Sequence, residues 1–202
     1  MALVMPAAPG FLPGRFGLET NTQRFTSPYT NATQRLLLSG ARWAATYNLP
    51  AMSRAQMAEW QAFLLSLEGG ANTFSGSDPD GKTARGTPTG TPLVKGAGQT
   101  GSTLLIDGCT PNVANWLRTG DYIAVNGELK MVTADCTTNG SGEVTVSFMP
   151  RLRNSPPDNA VVTVTNASCE MILVDDQQSM WNSARKLGFY EGLSFSAIEV
   201  FS

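Results

Sequence analysis

The chain predicts a mainly β fold, α+β in the broad sense, with one flanking α-helix. Three observations predict it. Apolar and polar residues alternate in many short segments bounded by Gly, Pro, Asn and Asp, the period of half-buried strands. Only residues 53–68 place apolar side chains at helical spacing. Charged residues are 15% of the 202, well below the usual quarter, and Thr, Ser, Asn and Gly stand in their place. That balance fits a β-rich protein that hides much of its surface in an assembly.

Residues 1–33 contain Pro6, Pro9, Pro13 and Pro28 and read as an extended N-terminal arm, one or two short strands at most, ordered by a neighbour. Residues 34–49 read as one strand. Leu37, Trp43, Ala45, Tyr47 and Leu49 share a parity and hence a face, and Gly40 marks a bulge or bend. The helix follows over about 54–68. Ser53 and Gln56 form a capping box, Met52 and Met57 a hydrophobic staple, and Met57, Trp60, Leu64 and Leu67 an apolar stripe with Phe63 at its edge. Gly69 and Gly70 stop it. The stripe is expected to cover the Trp43–Leu49 face.

Residues 72–92 are loop. Five strands are then expected at 102–107, 121–125, 128–134, 143–149 and 160–165, with Asn126-Gly127 as a two-residue hairpin turn. At that spacing they suggest a small barrel or sandwich, OB-like in size, with 110–117 as a turn that plugs its base. "EMILVDD" and "LSFSAIEVF" are long strands that return to the first sheet. Between them "QQSMWNSARKLGFYEG" reads as the tip of a long hairpin with Trp181 and Tyr190 packed outward; a short helix is the alternative. The organisation expected is an arm (1–33), a β core with the helix (34–90 plus 169–202) and an inserted barrel (91–168).

No chemistry stands out. The chain has no histidine, which removes His-dependent triads and His-ligated metals. Its net charge of −2 and lack of a basic run offer no footprint for nucleic acid or a membrane surface. Three widely spaced cysteines (Cys109, Cys136, Cys169) do not make a disulfide framework and read as small buried hydrophobes in a reducing compartment. The start lacks the basic and apolar regions of a secretory signal, so "NAS" at 166–168 carries no weight as a glycosylation acceptor.

"DPDGK" (78–82) matches a Ca²⁺ loop only in part and reads as a turn. Asp175 and Asp176 are neighbours that a strand would point to opposite faces, a solvent-facing strand end rather than an acid–base pair. "GAGQTG" (96–101) lacks the lysine of a phosphate loop and reads as a flexible turn. Trp43, Tyr47, Trp60, Phe63 and Phe74 read as core rather than a ligand cage. "PRLRNSPPD" (150–158) is either a solvated loop or a charged patch against a partner. No catalytic, cofactor-binding or metal-ligating residue is assigned, no cofactor is expected, and the chain does not read as an enzyme.

The order of signals from Arg42 to Gly86 resembles the distal tail proteins of long-tailed bacteriophages. A Trp/Tyr strand leads into "LPAMSRAQMAEWQAF", a glycine break, "NTF" and "SDPDGKTARG". "LRTGDYIAVNGELKMVTAD" and "GSGEVTVSFMPRLRNSPPDNAVVTV" are similar to the inserted domain of such proteins. The resemblance covers roughly residues 36–200, and its motifs are patterns of packing and turns. It implies a tail-tube-like β-sandwich or barrel with an inserted OB-like barrel. It also implies six copies in a ring between the tail-tube protein and the hub, with tape-measure protein or DNA only passing through the lumen. The protein would be a virion component assembled in the host cytoplasm, without membrane contact. The alternatives are another tail component, tube or terminator, and a carbohydrate-binding adhesion module.

Overall fold

A computed structural model describes residues 2–181 and 188–201. Strand accounts for 39% of the chain and helix for 8%, so the mainly β class holds. In chain order the strands are β1 (Leu3–Val4), β2 (Leu12–Glu19), β3 (Thr22–Thr26), β4 (Thr33–Leu37) and β5 (Arg42–Asn48). Helix α1 (Arg54–Ser66) and β6 (Phe74–Gly76) follow. Then come β7 (Gly90–Val94), β8 (Thr103–Cys109), β9 (Tyr122–Val125), β10 (Glu128–Val132), β11 (Val144–Met149), β12 (Val162–Thr163), β13 (Cys169–Leu173) and β14 (Ser194–Glu199).

One six-stranded sheet has the order β1-β6-β13-β14-β5-β2. All its pairings are antiparallel except β1 with β6. Its buried face carries Trp43, Ala45, Tyr47, Phe74, Met171, Phe195 and Ala197. Helix α1 lies against this face with Met57, Trp60, Phe63 and Leu64 buried, and Leu67 just beyond the last turn. Trp60 meets Phe195 at 5.9 Å between ring centres, and Phe63 meets Phe74 edge-on at 5.7 Å. The capping box is present: Ser53 Oγ accepts the Gln56 N–H, and Gln56 Oε1 accepts the Ser53 N–H. The left-handed stop begins one residue earlier than the glycines suggest, at Glu68 (φ 49°) and then Gly69 (φ 69°).

The second six-stranded sheet, β12-β9-β10-β11-β8-β7, is wholly antiparallel and curls into a nearly closed barrel. A Leu93–Val161 bridge joins its two ends, with Val94 N–H donating to Ala160 O and Asn159 N–H to Val94 O. The barrel thus has six strands rather than the five read from sequence. The extra one, β7, opens with "GTP", which reads as loop; its Pro92 sits where the register shifts and costs no ladder bond. Asn126 and Gly127 both take positive φ, as the expected two-residue turn demands. Trp116 plugs the interior from the 110–117 turns, and its indole N–H donates to Thr89 O.

Three expectations need correction. The N-terminal arm is not one extended tail: β1 and β2 are the two edges of the first sheet, and Phe11 and Phe16 pack against its core. Pro13 and Gly14 are tolerated because they sit at a bulge on an edge strand. Gly14 there lies so close to the Thr46 carbonyl oxygen that a Cβ would strike it. Second, residues 34–49 form two strands, β4 and β5, parted at Gly40 (φ 104°), so Leu37 is exposed and does not share the Trp43 face. Third, Tyr190 does not point outward from a turn. It is buried and exchanges both backbone hydrogen bonds with Met52, while Trp181 packs partly against the first core. β13 and β14 pair antiparallel, as a hairpin would, but their connection opens with a 3-10 turn, Asp176–Ser179. The middle of that stretch, 182–187, lies outside the described residues.

The helix covers only half of the face assigned to it. Trp43 is covered by the barrel. It stacks on Phe16 at 5.3 Å, meets Tyr122 edge-on at 5.7 Å, and its indole N–H donates to Leu129 O at 2.8 Å. Helix and barrel are therefore two lids on one sheet.

Candidate assembly surfaces

The β3–β4 ribbon is the most exposed structured element. Every one of its ten strand residues is exposed. It follows the β2–β5 ladder as a separate two-stranded sheet: Glu19 faces Arg42 at the ladder's end, and Thr22 faces Leu37 three residues on along one strand and five back along the other. Phe25 (63%), Tyr29 (95%), Leu36 (57%) and Leu37 (65%) present apolar surface with nothing over it. By strand parity Phe25 and Leu36 share one face, and Thr22, Arg24, Arg35 and Leu37 the other. Arg24 and Arg35 are directly opposed, a destabilising like-charge pair, and neither makes an ion pair among the described residues. An isolated two-stranded ribbon is marginal in water.

The outer face of the first sheet carries no lid. Thr46, Asn48, Ser194 and Ser196 line it in cross-strand pairs with Ala44 and Ile198. Thr46 Oγ1 and Ser196 Oγ lie 3.2 Å apart, Ser194 Oγ donates to Asn48 Oδ1 at 2.8 Å, and Asn48 Nδ2 donates to Pro13 O. By the same parity the exposed Arg15, Glu19, Arg42 and Glu170 lie on this face, so it mixes short hydroxyls and an amide with two charges of each sign.

The seam between barrel and sheet holds a buried ionic network that sequence reading missed. Glu128 Oε2 accepts Lys130 Nζ at 2.6 Å, and Lys130 also donates to Arg151 O. The Glu128 carboxylate takes the backbone N–H of Arg153 and of Asn154, each at 3.0 Å. Arg153 Nη2 donates to Glu199 Oε1 at 2.6 Å, and Glu199 Oε2 accepts the Trp43 N–H. The same guanidinium lies 4.2 Å over the Phe201 ring. Burial alone would raise the Glu128 acid, but Lys130 and the two N–H donors hold it below the ordinary value. Burial lowers Lys130, offset in part by Glu128. Within the 150–158 loop Arg153 clamps the chain to itself, which neither sequence reading foresaw, while Arg151 is exposed, as in a solvated loop. One signal was legible, since Glu128 and Lys130 stand two apart within a strand and share a face.

The remaining sequence candidates resolve into structure. Asp78 accepts the Asp80 N–H, a turn, and its other oxygen takes the Tyr122 hydroxyl at 2.9 Å. Asp175 and Asp176 are caps rather than idle strand-end charges. Asp175 accepts the Gln177 N–H, and Asp176 accepts the Gly70 N–H, tying the helix exit to the 3-10 turn. A Cβ on Gly69 would strike that Asp176 carboxylate. "GAGQTG" is pinned: the Gln99 amide donates to Lys95 O and Leu105 O and accepts the Leu105 N–H. Asp121, which sequence reading did not single out, is buried and takes the N–H groups of Arg85, Gly86 and Arg118, stapling the 78–90 loop to the barrel. The aromatic set is core. Cys109 and Cys169 are buried and Cys136 half-buried, all as free thiols; burial pushes the Cys109 thiol up to about 11.

Among the described residues no group of three or more Cys, Asp and Glu side chains is placed to hold a metal ion. Among the described residues no helix is long and apolar enough to cross a membrane. Two clefts flank β2. One, of about 250 Å³, lies between β2 and the Asp78–Asp80 turn. The other, of about 550 Å³, lies at the start of β2, lined by Leu12, Pro13, Leu49 and Leu193 together with the polar Asn48, Glu191 and Ser194. No protein-family model matches the chain, and no curated protein matches it.

Proposed function

We propose that this protein is a structural subunit of a bacteriophage tail, a distal tail protein whose copies form a ring joining the tail tube to the tip and hub. The observation that carries the reading is the β3–β4 ribbon. It is a fully exposed two-stranded ribbon with an opposed arginine pair and with Phe25, Leu36 and Leu37 uncovered, and it has no reason to persist in water unless another chain covers it. The hydroxyl-lined outer face supports the same reading. A ring wall around passing DNA calls for a polar surface without a field of one sign; Thr46, Asn48, Ser194 and Ser196 are uncharged, and the two arginines and two glutamates on the same face, Arg15, Arg42, Glu19 and Glu170, balance. The order of motifs that resembles the tail family, and the placement of a barrel beside a lidded sheet, agree with it.

The carbohydrate-binding alternative draws less support. Trp116 and Tyr122, the aromatic side chains a sugar would stack on in the barrel, are both buried. The test is co-sedimentation with purified tail tubes and, separately, with hub protein. Saturable binding at one tube end, visible by electron microscopy, is expected. Binding to glycans with none to tubes or hub would overturn the reading.

A further inference from the structure

The sequence holds two Asn-Gly pairs, Asn126-Gly127 and Asn139-Gly140, and both lie in the barrel. Asparagine is a thermolabile side chain, and a following glycine leaves its own backbone nitrogen open to approach because it has no Cβ. The fold treats the two pairs differently. Asn139 is pinned. Its Oδ1 accepts the N–H of Ser141 and of Glu143, each at 2.9 Å, and its Nδ2 donates to Glu143 Oε2 at 3.2 Å. Its backbone is also tied, donating to Glu143 O and accepting the Asn112 N–H. Asn126 is exposed, and its carboxamide makes no hydrogen bond among the described residues. Gly127 is exposed too, and a Cβ on it would meet nothing within 4 Å. Nothing packs on this turn to stop the twist that ring closure needs.

The position gives the pair its consequence. Val125 and Glu128 face each other across the turn, with only Asn126 and Gly127 between them. Glu128 anchors the ionic seam, and the next carbonyl, Leu129 O, takes the Trp43 indole N–H. Asp in place of Asn126 keeps the chain length, and Asp-Gly suits the same turn. Isoaspartate does not, because the main chain then runs through the former side chain and gains a backbone atom. A two-residue turn so lengthened no longer sets Val125 against Glu128, and the misfit falls on the seam.

We propose that Asn126-Gly127 is a site of spontaneous deamidation that turns the β9–β10 connection into isoaspartate and loosens the barrel seam, while Asn139-Gly140 is held unreactive by the fold. The Gly127 amide nitrogen gives its proton to base and bonds to Asn126 Cγ. The bond from Cγ to the side-chain nitrogen breaks, and that nitrogen leaves as ammonia, taking a proton. A five-membered imide remains. Water adds to either imide carbonyl and opens the ring to Asp or isoaspartate. The net reaction consumes one water, releases one ammonia and adds one negative charge, with no change of oxidation state.

The test holds the native full-length protein at mildly alkaline pH and follows both sites by peptide mapping with mass spectrometry. Residue 126 is expected to convert about tenfold or more faster than residue 139, whose carboxamide must first break three hydrogen bonds. In the urea-unfolded chain the two are expected to convert at similar rates, which assigns the difference to the fold. The aged protein is expected to melt at a lower Tm. Asn126→Gly, whose Gly-Gly pair also suits the turn, is expected to keep its Tm through the same incubation. Freshly made Asn126→Asp is expected to match wild type, so that the lengthened turn rather than the added charge accounts for the loss. Equal rates at the two sites in the native protein, or conversion at 139 alone, would overturn the site. Conversion at 126 with an unchanged Tm would overturn its effect on the seam.

Discussion

At the scale of residues, two side chains bear most of the account of how the lids are held. Trp60 is fully buried, meets Phe11, Phe63 and Phe195, and donates its indole N–H to Ala8 O, so it ties helix, sheet and N-terminal segment together. Trp60→Ala is expected to cost about 3–5 kcal/mol in denaturant unfolding. Stability left intact with assembly lost would make the residue an interface instead. Glu128 is the counterpart at the barrel seam. Glu128→Ala leaves Lys130 buried without its carboxylate and is expected to cost about 3–5 kcal/mol. The sign of the pH dependence follows from its depressed acid. A carboxylate held below its ordinary value of 4.5 contributes stability that is full above that value and is lost as pH falls through the folded-state value. Thermal unfolding from pH 7 down to pH 3 is expected to show that loss, and Glu128→Gln is expected to flatten this part of the profile. An unchanged profile would mean the network adds nothing to stability.

At the scale of elements, the ribbon is separable from the fold. Glu19 and Arg42 are paired in register and joined by an ion pair at 3.2 Å, so a two-residue Asn-Gly turn in place of residues 21–40 closes the same hairpin. That variant is expected to unfold within about 1 kcal/mol of wild type, since the excised strands bury nothing, and to fail to assemble in a sizing column. Helix α1 shows how much was legible. Its cap, staple and stripe are local signals, and each falls where the spacing puts it. The N-terminal strands were not legible for the same physical reason reversed. β2 is an edge strand with a proline, two glycines and a bulge, and only its pairing to β5 identifies it as a strand. β7 was lost to the same kind of punctuation. The break at Gly40 was visible, but its consequence, two strands leading to different surroundings, depends on where the ladder leaves the sheet.

At the scale of the whole molecule, one six-stranded sheet buries a single face under two lids and leaves the other face polar, with hydroxyls flanked by charges of both signs. Sequence alternation foretold which residues of β5 face inward. It did not foretell that the barrel, through Tyr122 and Leu129, shares that face with the helix, because contacts between units far apart in the chain leave no local period. The ionic seam was half visible for the same reason. Glu128 and Lys130 are neighbours on one strand, but Arg153 and Glu199 join them only in three dimensions. The exposed ribbon at the end of the ladder supports the proposal that the chain works as a subunit of an assembly. The native mass of the pure full-length chain, measured alone and then with tube ends, tests this most directly. The account predicts a closed ring, about 130 kDa for six chains of 21.5 kDa, in solution or on the template. A chain that stays at 21.5 kDa under both conditions, at every concentration tried, would contradict it.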